Sequence, residues 1–416
     1  MADLQPLRTL RYEPSAVGSL EDVIAPPYDV IDAELRARLA ARSPYNVVEI
    51  DLPPSYGEAA STMLDWSRRG VLVREDEPAV WVLRQDYDAP DGTQRTRTGV
   101  LARVRVDEYG PGRIRPHERT HPGPKEDRLQ LTRATRTNLS PIFSLFADRD
   151  GVAGRAMRQI AGGEPFAPAA DLDGTRNTLW RSSDEDLVAE LQMALADAEL
   201  LIADGHHRYE TARVYADEVG GEGEHRYVLM LLCSLDDPGL LVFPTHRLLT
   251  GLKEDTAKQL AIRDVLLRDF EVDELGDTSE LEPPSNGRVA FGYMDSFHKQ
   301  PFRVTLKDQS IADRALEGLP EPYRRLDTAV LEALVLRGAL GMSEDDISHL
   351  RGLKYSKDLA DAIDAVETGR ADAGFFMRAT PVDQVREVAV AGESMPPKST
   401  YFYPKVPTGL VFNPLS

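Results

Sequence analysis

The sequence predicts a mixed α/β (α+β) chain built from more than one domain, on three observations. At 416 residues it is longer than one ordinary hydrophobic core serves. Its apolar pattern switches repeatedly between the helical period and strict alternation or short fully apolar runs. Its strand-like runs are not regularly separated by helices, and neither GxGxxG nor GxxxxGK[ST] occurs, which argues against a Rossmann or P-loop architecture.

Taken in order, residues 1 to about 75 mix loops and helices. "VIAPPYDVI" is extended at its centre, because Pro26 and Pro27 block helix there. "DAELRARLAARS" reads as a helix with Asp32 as its N-cap, and "YGEAASTMLDWSRRGVL" as another that stops near Gly70. "PAVWVLRQDY" and "TRTGVLARVRV" read as strands joined by the turn-rich "DAPDGTQ". "GRIRPHERTHPGPKEDR" reads as a long loop, "DRLQLTRATRTN" as a helix and "SPIFSLFAD" as a strand. Residues 151–200 supply a strand, "TLWRSS", and a helix, "DEDLVAELQMALAD". "RYVLMLLCSL" has the content of a fully buried strand. Beyond residue 250 come a helix ("EDTAKQLAIRDVLLRDF"), two strands ("RVAFGYMD", "PFRVTLK"), a helix ("DTAVLEALVLRGAL"), and a helix then strand in "KYSKDLADAIDAVETGRADAGFFMRA". A loop-like tail follows. The expected division is 1–95, 96–250 with an insertion near 148–195, and 251–416 with a returning tail at 393–412.

The formal net charge is -20, which disfavours non-specific binding to nucleic acid or anionic membrane. The one cysteine, Cys233, sits in an apolar run and cannot make an intrachain disulfide, so it reads as a small buried hydrophobe. No signal-peptide pattern and no apolar run long enough for a membrane span appear, so a cytoplasmic protein is expected.

Four stretches carry chemistry. In "ADGHHRYETARVYADEV", Tyr209, Ala212, Tyr215 and Ala216 fall at helical spacing. Asp204 is expected to cap that helix, leaving Gly205, His206 and His207 near its first turn. Free backbone N–H groups there attract anions, and Arg208 adds a bidentate fork. An acid at the preceding strand end could hold Mg²⁺ beside a phosphate. The plain alternative is a capped helix with solvent-facing histidines. Zinc is the weaker reading, since adjacent histidines diverge on a helix and no third ligand sits nearby in sequence.

In "RIRPHERTHPGPKEDR", Pro116 stiffens a loop that presents His117, Glu118 and Arg119, with Lys125, Glu126, Asp127 and Arg128 after it. A carboxylate among cations stays ionised and can take a proton or a metal; the alternative is a surface loop of screened ion pairs. In "FPTHRLL", His246 and Arg247 follow a buried strand. In "MPPKSTYFYPK", Lys398, Ser399, Thr400 and Lys405 are candidates for phosphate, and Tyr401, Phe402 and Tyr403 either stack on a base or anchor the tail.

Together "VIAPPYDVI", "RPHERT" with "GPKEDR", "DGHHRYETA", "PTHRL" and "MPPKSTYFYPK" resemble the bacterial and archaeal domain-of-unknown-function family 1015, nearly end to end. "PHE" followed by "DGHHR" is also similar to ParB/sulfiredoxin-like nucleotide-binding domains, and among them to free L-serine kinases. That local resemblance implies a ParB/sulfiredoxin-like core with large insertions and additional α/β elements. It implies a kinase using ATP (or ADP) and Mg²⁺ on a small hydroxylated metabolite, free L-serine first. Glu118 would be the base, Asp204 would position metal and hydroxyl, and His207 would complete the catalytic set. Gly205, His206, Arg208, His246, Arg247, Lys398, Ser399 and Thr400 would hold nucleotide phosphates, and His117, Lys125 and Arg128 the substrate. The separation of 86 positions from Glu118 to Asp204 exceeds the spacing of the compact kinases, so an insertion must lie between them. The alternative function is a nucleotide-binding (CTP/ATP) switch or hydrolase module of ParB-like type. No nucleic-acid or membrane partner is expected, and a homodimer is compatible with the reading.

Overall fold

A computed structural model describes the chain apart from residues 1, 91, 119–121 and 286. It is a mixed α/β protein that divides into two compact units. Unit 1 comprises residues 1–116, 120–240 and 404–416, and unit 2 comprises residues 117–119 and 241–403. This differs from the expected division in three places. Residue 95 falls inside a strand that pairs with the strand before it, so no boundary lies there. The change of unit comes at residue 240 rather than near 250, and the tail belongs to unit 2 up to residue 403 and to unit 1 from 404.

Unit 1 is built on a nine-stranded mixed sheet. Its strands are β1 (Leu4–Gln5), β2 (Val80–Asp88), β3 (Gln94–Arg105), β4 (Ile114–Arg115), β5 (Ile142–Phe146), β6 (Ala167–Ala170), β7 (Arg176–Ser182), β8 (Leu200–Asp204) and β9 (Tyr227–Ser234). The order is β4-β8-β5-β9-β3-β2-β7-β6, with β1 paired to β3. Around it lie α1 (Ala33–Arg42), α2 (Tyr56–Arg68), α3 (Pro122–Thr135), α4 (Val152–Ala161), α5 (Glu185–Ala196) and α6 (His206–Val219).

Most of these elements lie where the periodicity places them. Asp32 caps α1 by accepting from the Leu35 amide, and Gly70, with φ of 70°, follows the end of α2. Cys233 is buried in β9, where burial pushes its thiol well above the usual range. Two expectations need correction. The "GRIRPHERTHPGPKEDR" stretch is not all loop: β4 adds to the sheet edge in parallel with β8, and α3 begins at Pro122. Prolines in a first turn lack only N–H groups that have no helical partner anyway. The 148–195 segment carries an unexpected helix, α4, and a strand, β6, and it is integral to the sheet rather than appended. β7 pairs with β2 over seven residues. Ala153, Ala156, Met157 and Ile160 of α4 bury with Leu187, Leu191 and Leu195 of α5 in a core shared with Val82, Val100, Ile142, Leu200, Ile202 and Met230. That spacing was a readable helical stripe.

Unit 2 is an antiparallel sheet of β10 (His246–Leu249), β11 (Phe270–Glu274), β12 (Ala290–Asp295), β13 (Phe302–Leu306), β14 (Leu353–Ser356) and β15 (Ala373–Phe376). The order is β11-β13-β12-β15-β10-β14. Its helices include α7 (Thr256–Asp269), α8 (Asp327–Leu331, continuing as a wider π-turn over Glu332–Ala339), α9 (Leu359–Glu367) and α10 (Val382–Val390). Leu248, Met294, Ala362, Ala365, Val366 and Phe376 form its buried cluster. Residues 401–403 of the expected loop pair with residues 241–243.

No helix among the described residues is long and apolar enough to cross a membrane. One glycine tests the packing of unit 2. A Cβ at Gly292 in β12 would stand 2.2 Å from the Leu281 carbonyl oxygen, so backbone must move to admit it. Gly292→Ala is therefore expected to cost about 2 kcal/mol, the scale of core overpacking, in a urea-unfolding measurement.

Candidate phosphate site at the start of helix 206–219

Strand β8 carries its apolar residues to Asp204, where the register breaks. Ile202 pairs with Ser144, but Asp204 pairs with Phe143, so one residue is bulged between them. Cross-strand partners share a face, and a one-residue shift changes faces. Ile202 therefore joins the core, while Asp204 stands on the opposite face with Phe143. That face continues across the sheet as the row Asp204, Phe143, Leu231, Leu101, Trp81.

The chain then turns sharply. Gly205 has φ of 97°, and it, not Asp204, is the N-cap residue of α6, so the cap position carries no capping side chain. A Cβ at Gly205 would also meet the Arg208 guanidinium at 3.1 Å. Tyr209, Ala212, Tyr215 and Ala216 are buried as the spacing predicts. His206 is buried and His207 half-buried in the first turn.

Asp204 has a different task from the expected cap. Arg208 Nη2 donates to its Oδ2 at 2.5 Å and Lys405 Nζ to its Oδ1 at 2.6 Å. Both carboxylate oxygens are thus taken by cations. Burial would raise the Asp204 pKa, but Lys405 and Arg208 hold it well below the usual carboxylate range. Arg208 is fixed further by Nη1 donating to Ser140 Oγ at 2.6 Å and to the Pro141 carbonyl. Thr408 Oγ1 donates to the same Ser140 oxygen.

Of the substrate candidates in unit 1, Lys125 is half-buried in α3. Arg128 is buried, paired with Asp51 at 3.1 Å and with Asp127 at 2.6 Å, and stands over the Tyr28 ring. Tyr28, Asp51, Arg128, Ser140 and Arg208 line a small cavity of about 40 Å³. Burial raises the Asp51 pKa despite Arg128, and pushes the Tyr28 phenol up to about 12.

Unit 2 holds the other candidates; Arg119 lies outside the described residues. His117 is buried, its Nε2 at 2.9 Å from Thr400 Oγ1 and its carbonyl accepting from the Met395 amide. Glu118 is half-buried; burial raises the pKa of Tyr355, and Glu332 and Glu118 add to that rise while Arg247 opposes it. Arg247 is buried, with its guanidinium donating to the carbonyls of Thr245, Pro397 and Lys398 and standing over the Tyr355 ring. Ser399 is 2% exposed; its hydroxyl donates to the Pro396 carbonyl at 2.6 Å and lies in hydrogen-bond contact with the Thr328 hydroxyl at 3.1 Å. Lys398 is exposed with φ of 55°. His246 is fully buried, and its Nδ1 accepts from the Met377 amide at 3.1 Å.

A family model described as "Protein of unknown function (DUF1015)" matches residues 4–329. The chain belongs to this family. The match takes in the "PHE" and "DGHHR" motifs of the DUF1015 chain and stops before Lys398 and Lys405. No curated protein matches it. Solved structures similar to the DUF1015 chain include "Free serine kinase in complex with AMP", at 17% identity and a TM-score of 0.36, covering 74% of this chain and 92% of that one. A conserved hypothetical protein from Pyrococcus furiosus is similar at 18% identity and a TM-score of 0.37, over 74% and 93%. SbnI with a C-terminal truncation from Staphylococcus aureus is similar at 11% identity and a TM-score of 0.37, over 74% and 87%.

Two measurements test this geometry. Asp204→Asn leaves two half-shielded cations without their anion, so denaturant unfolding should show a loss of about 3 kcal/mol at pH 7; an unchanged midpoint would mean that the pair contributes nothing. In unit 2, burial lowers the His246 pKa from 6.5 to about 4. Between those values the unfolded chain takes up a proton that the folded chain refuses. Stability from this residue is therefore present above pH 6.5 and lost as pH falls toward 4. Wild type should lose about 2 kcal/mol more than His246→Gln between pH 7 and 4.5.

Proposed function

We propose that this protein is an ATP- (or ADP-) dependent phosphotransferase acting on a small hydroxylated metabolite, with free L-serine as the first acceptor to test. One observation carries the reading: the strand–glycine–helix turn at residues 204–208. Gly205 lets the backbone turn in a left-handed conformation, and as the N-cap residue it brings no capping side chain to the start of α6. His206, His207, Arg208 and Lys405 put donors and positive charge around that helix start, in a chain whose net charge is -20. Such a turn suits a phosphate group, and phosphoryl transfer asks a protein mainly for positioning and charge neutralisation. The "PHE…DGHHR" pattern adds the reaction class by resemblance.

In this reading the helix start and its cations hold the phosphates. The Glu118 carboxylate accepts the acceptor's hydroxyl proton. The hydroxyl oxygen forms a bond to the terminal phosphorus, and the bond to the nucleotide's bridging oxygen breaks with its electrons going to the nucleotide. Among the described residues no three His, Cys, Asp or Glu side chains converge, so Mg²⁺ would be held mainly by the nucleotide's phosphates, with at most one or two carboxylates beside them. Asp204 is the counter-ion of Lys405 and Arg208, and in this reading it is also the carboxylate that would meet a metal brought in with the phosphates.

A second reading, a nucleotide-binding switch without transfer, is favoured by that same carboxylate, whose two oxygens each already accept from a cation. One experiment separates the two. Protein incubated with Mg²⁺-ATP or Mg²⁺-ADP and L-serine is expected to yield O-phosphoserine by ³¹P NMR. Glu118→Gln should slow that turnover about a hundredfold, the scale of losing a general base. Nucleotide binding with no product from serine or a panel of hydroxy acids would establish the switch instead.

A further inference from the structure

Among the described residues, two cations, Lys405 and Arg208, converge on the Asp204 carboxylate. Arg97, on β3, lies on the face of the sheet that carries Leu101, Phe143 and Asp204, four residues along its strand from Leu101. Its guanidinium stands over the Phe143 ring at 4.3 Å. Arg97 is 1% exposed and has no carboxylate within ion-pair distance among the described residues. Its Nη1 is buried with no hydrogen-bond acceptor. Burial lowers its pKa, and Asp204 is among the charges that offset this. A buried guanidinium with an unused donor is costly unless an anion joins it.

The same arginine aims the tail. Arg97 Nη2 donates to the Pro404 carbonyl at 2.6 Å, and Gln85 Nε2 donates to the Lys405 carbonyl at 3.1 Å. Gln85 is held in turn by Arg97 and Asn177. This clamp fixes the backbone at 404–405, so Lys405 reaches Asp204 from a preset anchor rather than from a loose terminus.

We propose that Lys405 is a phosphate-binding lysine supplied by the C-terminal segment, and that Asp204 occupies it until a phosphoryl group arrives. The ligand class is a phosphate anion, as in a nucleotide tail or pyrophosphate. On binding, Lys405 Nζ exchanges a carboxylate oxygen for a phosphate oxygen, and the spare charge of Arg97 and Arg208 is compensated. The proposal rests on the phosphate site of the proposed function but not on phosphoryl transfer.

The test is calorimetric titration of the full-length protein with inorganic pyrophosphate at two salt concentrations, with circular dichroism to confirm folding. Wild type is expected to bind, more weakly at high salt. Lys405→Met should weaken binding at least tenfold, and Lys405→Arg should restore most of it. Asp204→Asn should tighten binding several-fold, because it removes the competing anion. If Asp204 were instead a metal or phosphate-positioning group, that variant would bind more weakly, and the proposal would be overturned. Equal affinity in wild type and Lys405→Met would overturn it too. Binding that follows this pattern with no product from any acceptor would sink the kinase reading and leave the lysine assignment standing.

Discussion

The arrangement of unit 1 around its candidate site depends on one half-buried, ion-paired carboxylate. Asp204 holds Arg208 on one oxygen and Lys405 on the other. Arg208 ties the first turn of α6 to the Ser140–Pro141 segment ahead of β5. Lys405 ties in a segment 201 residues further along the chain. Remove the carboxylate, and the strand end, the helix start and the tail lose their common partner. The cost of burying these charges is met only because all three meet at short distance.

The bulge in β8 makes this meeting possible. With regular pairing, Asp204 would share a face with Ile202, inside an apolar cluster where an ionised group has no partner. The extra residue turns it toward Phe143 and the arginine of β3. Gly205 completes the redirection, since its left-handed backbone starts the helix at once and its missing side chain leaves room for the Arg208 guanidinium. A strand irregularity and a glycine thus convert an ordinary strand end into a charged site.

Much of this was legible in the sequence, and the exceptions share a cause. The apolar run ending at Asp204, the helix from His206 and the buried Tyr209 and Tyr215 follow from local periodicity. The bulge does not, because register depends on pairing with Ser144 and Phe143, about 60 residues away in sequence. A cap at Asp204 was a reasonable reading of an acid before a helix, but a partner remote in sequence took the carboxylate. Lys405 stood among the residues expected to meet phosphate; its role as the counter-ion of Asp204 had no local signal. Arg97 looked like one more charge in the strand "TRTGVLARVRV". Only the fold shows it buried, with a donor unused. Ser399, read from the same motif, donates its hydroxyl proton within its own turn.

The central claim is that the helix start at residues 205–208 receives a phosphate and that Lys405 turns to meet it. A crystal structure with a non-hydrolysable ATP analogue tests this most directly. A phosphate oxygen is expected within hydrogen-bond distance of the backbone N–H groups of His206 or His207, with Lys405 Nζ drawn from Asp204 to the phosphate. An analogue bound elsewhere, with the pair between Asp204 and Lys405 intact, would contradict it.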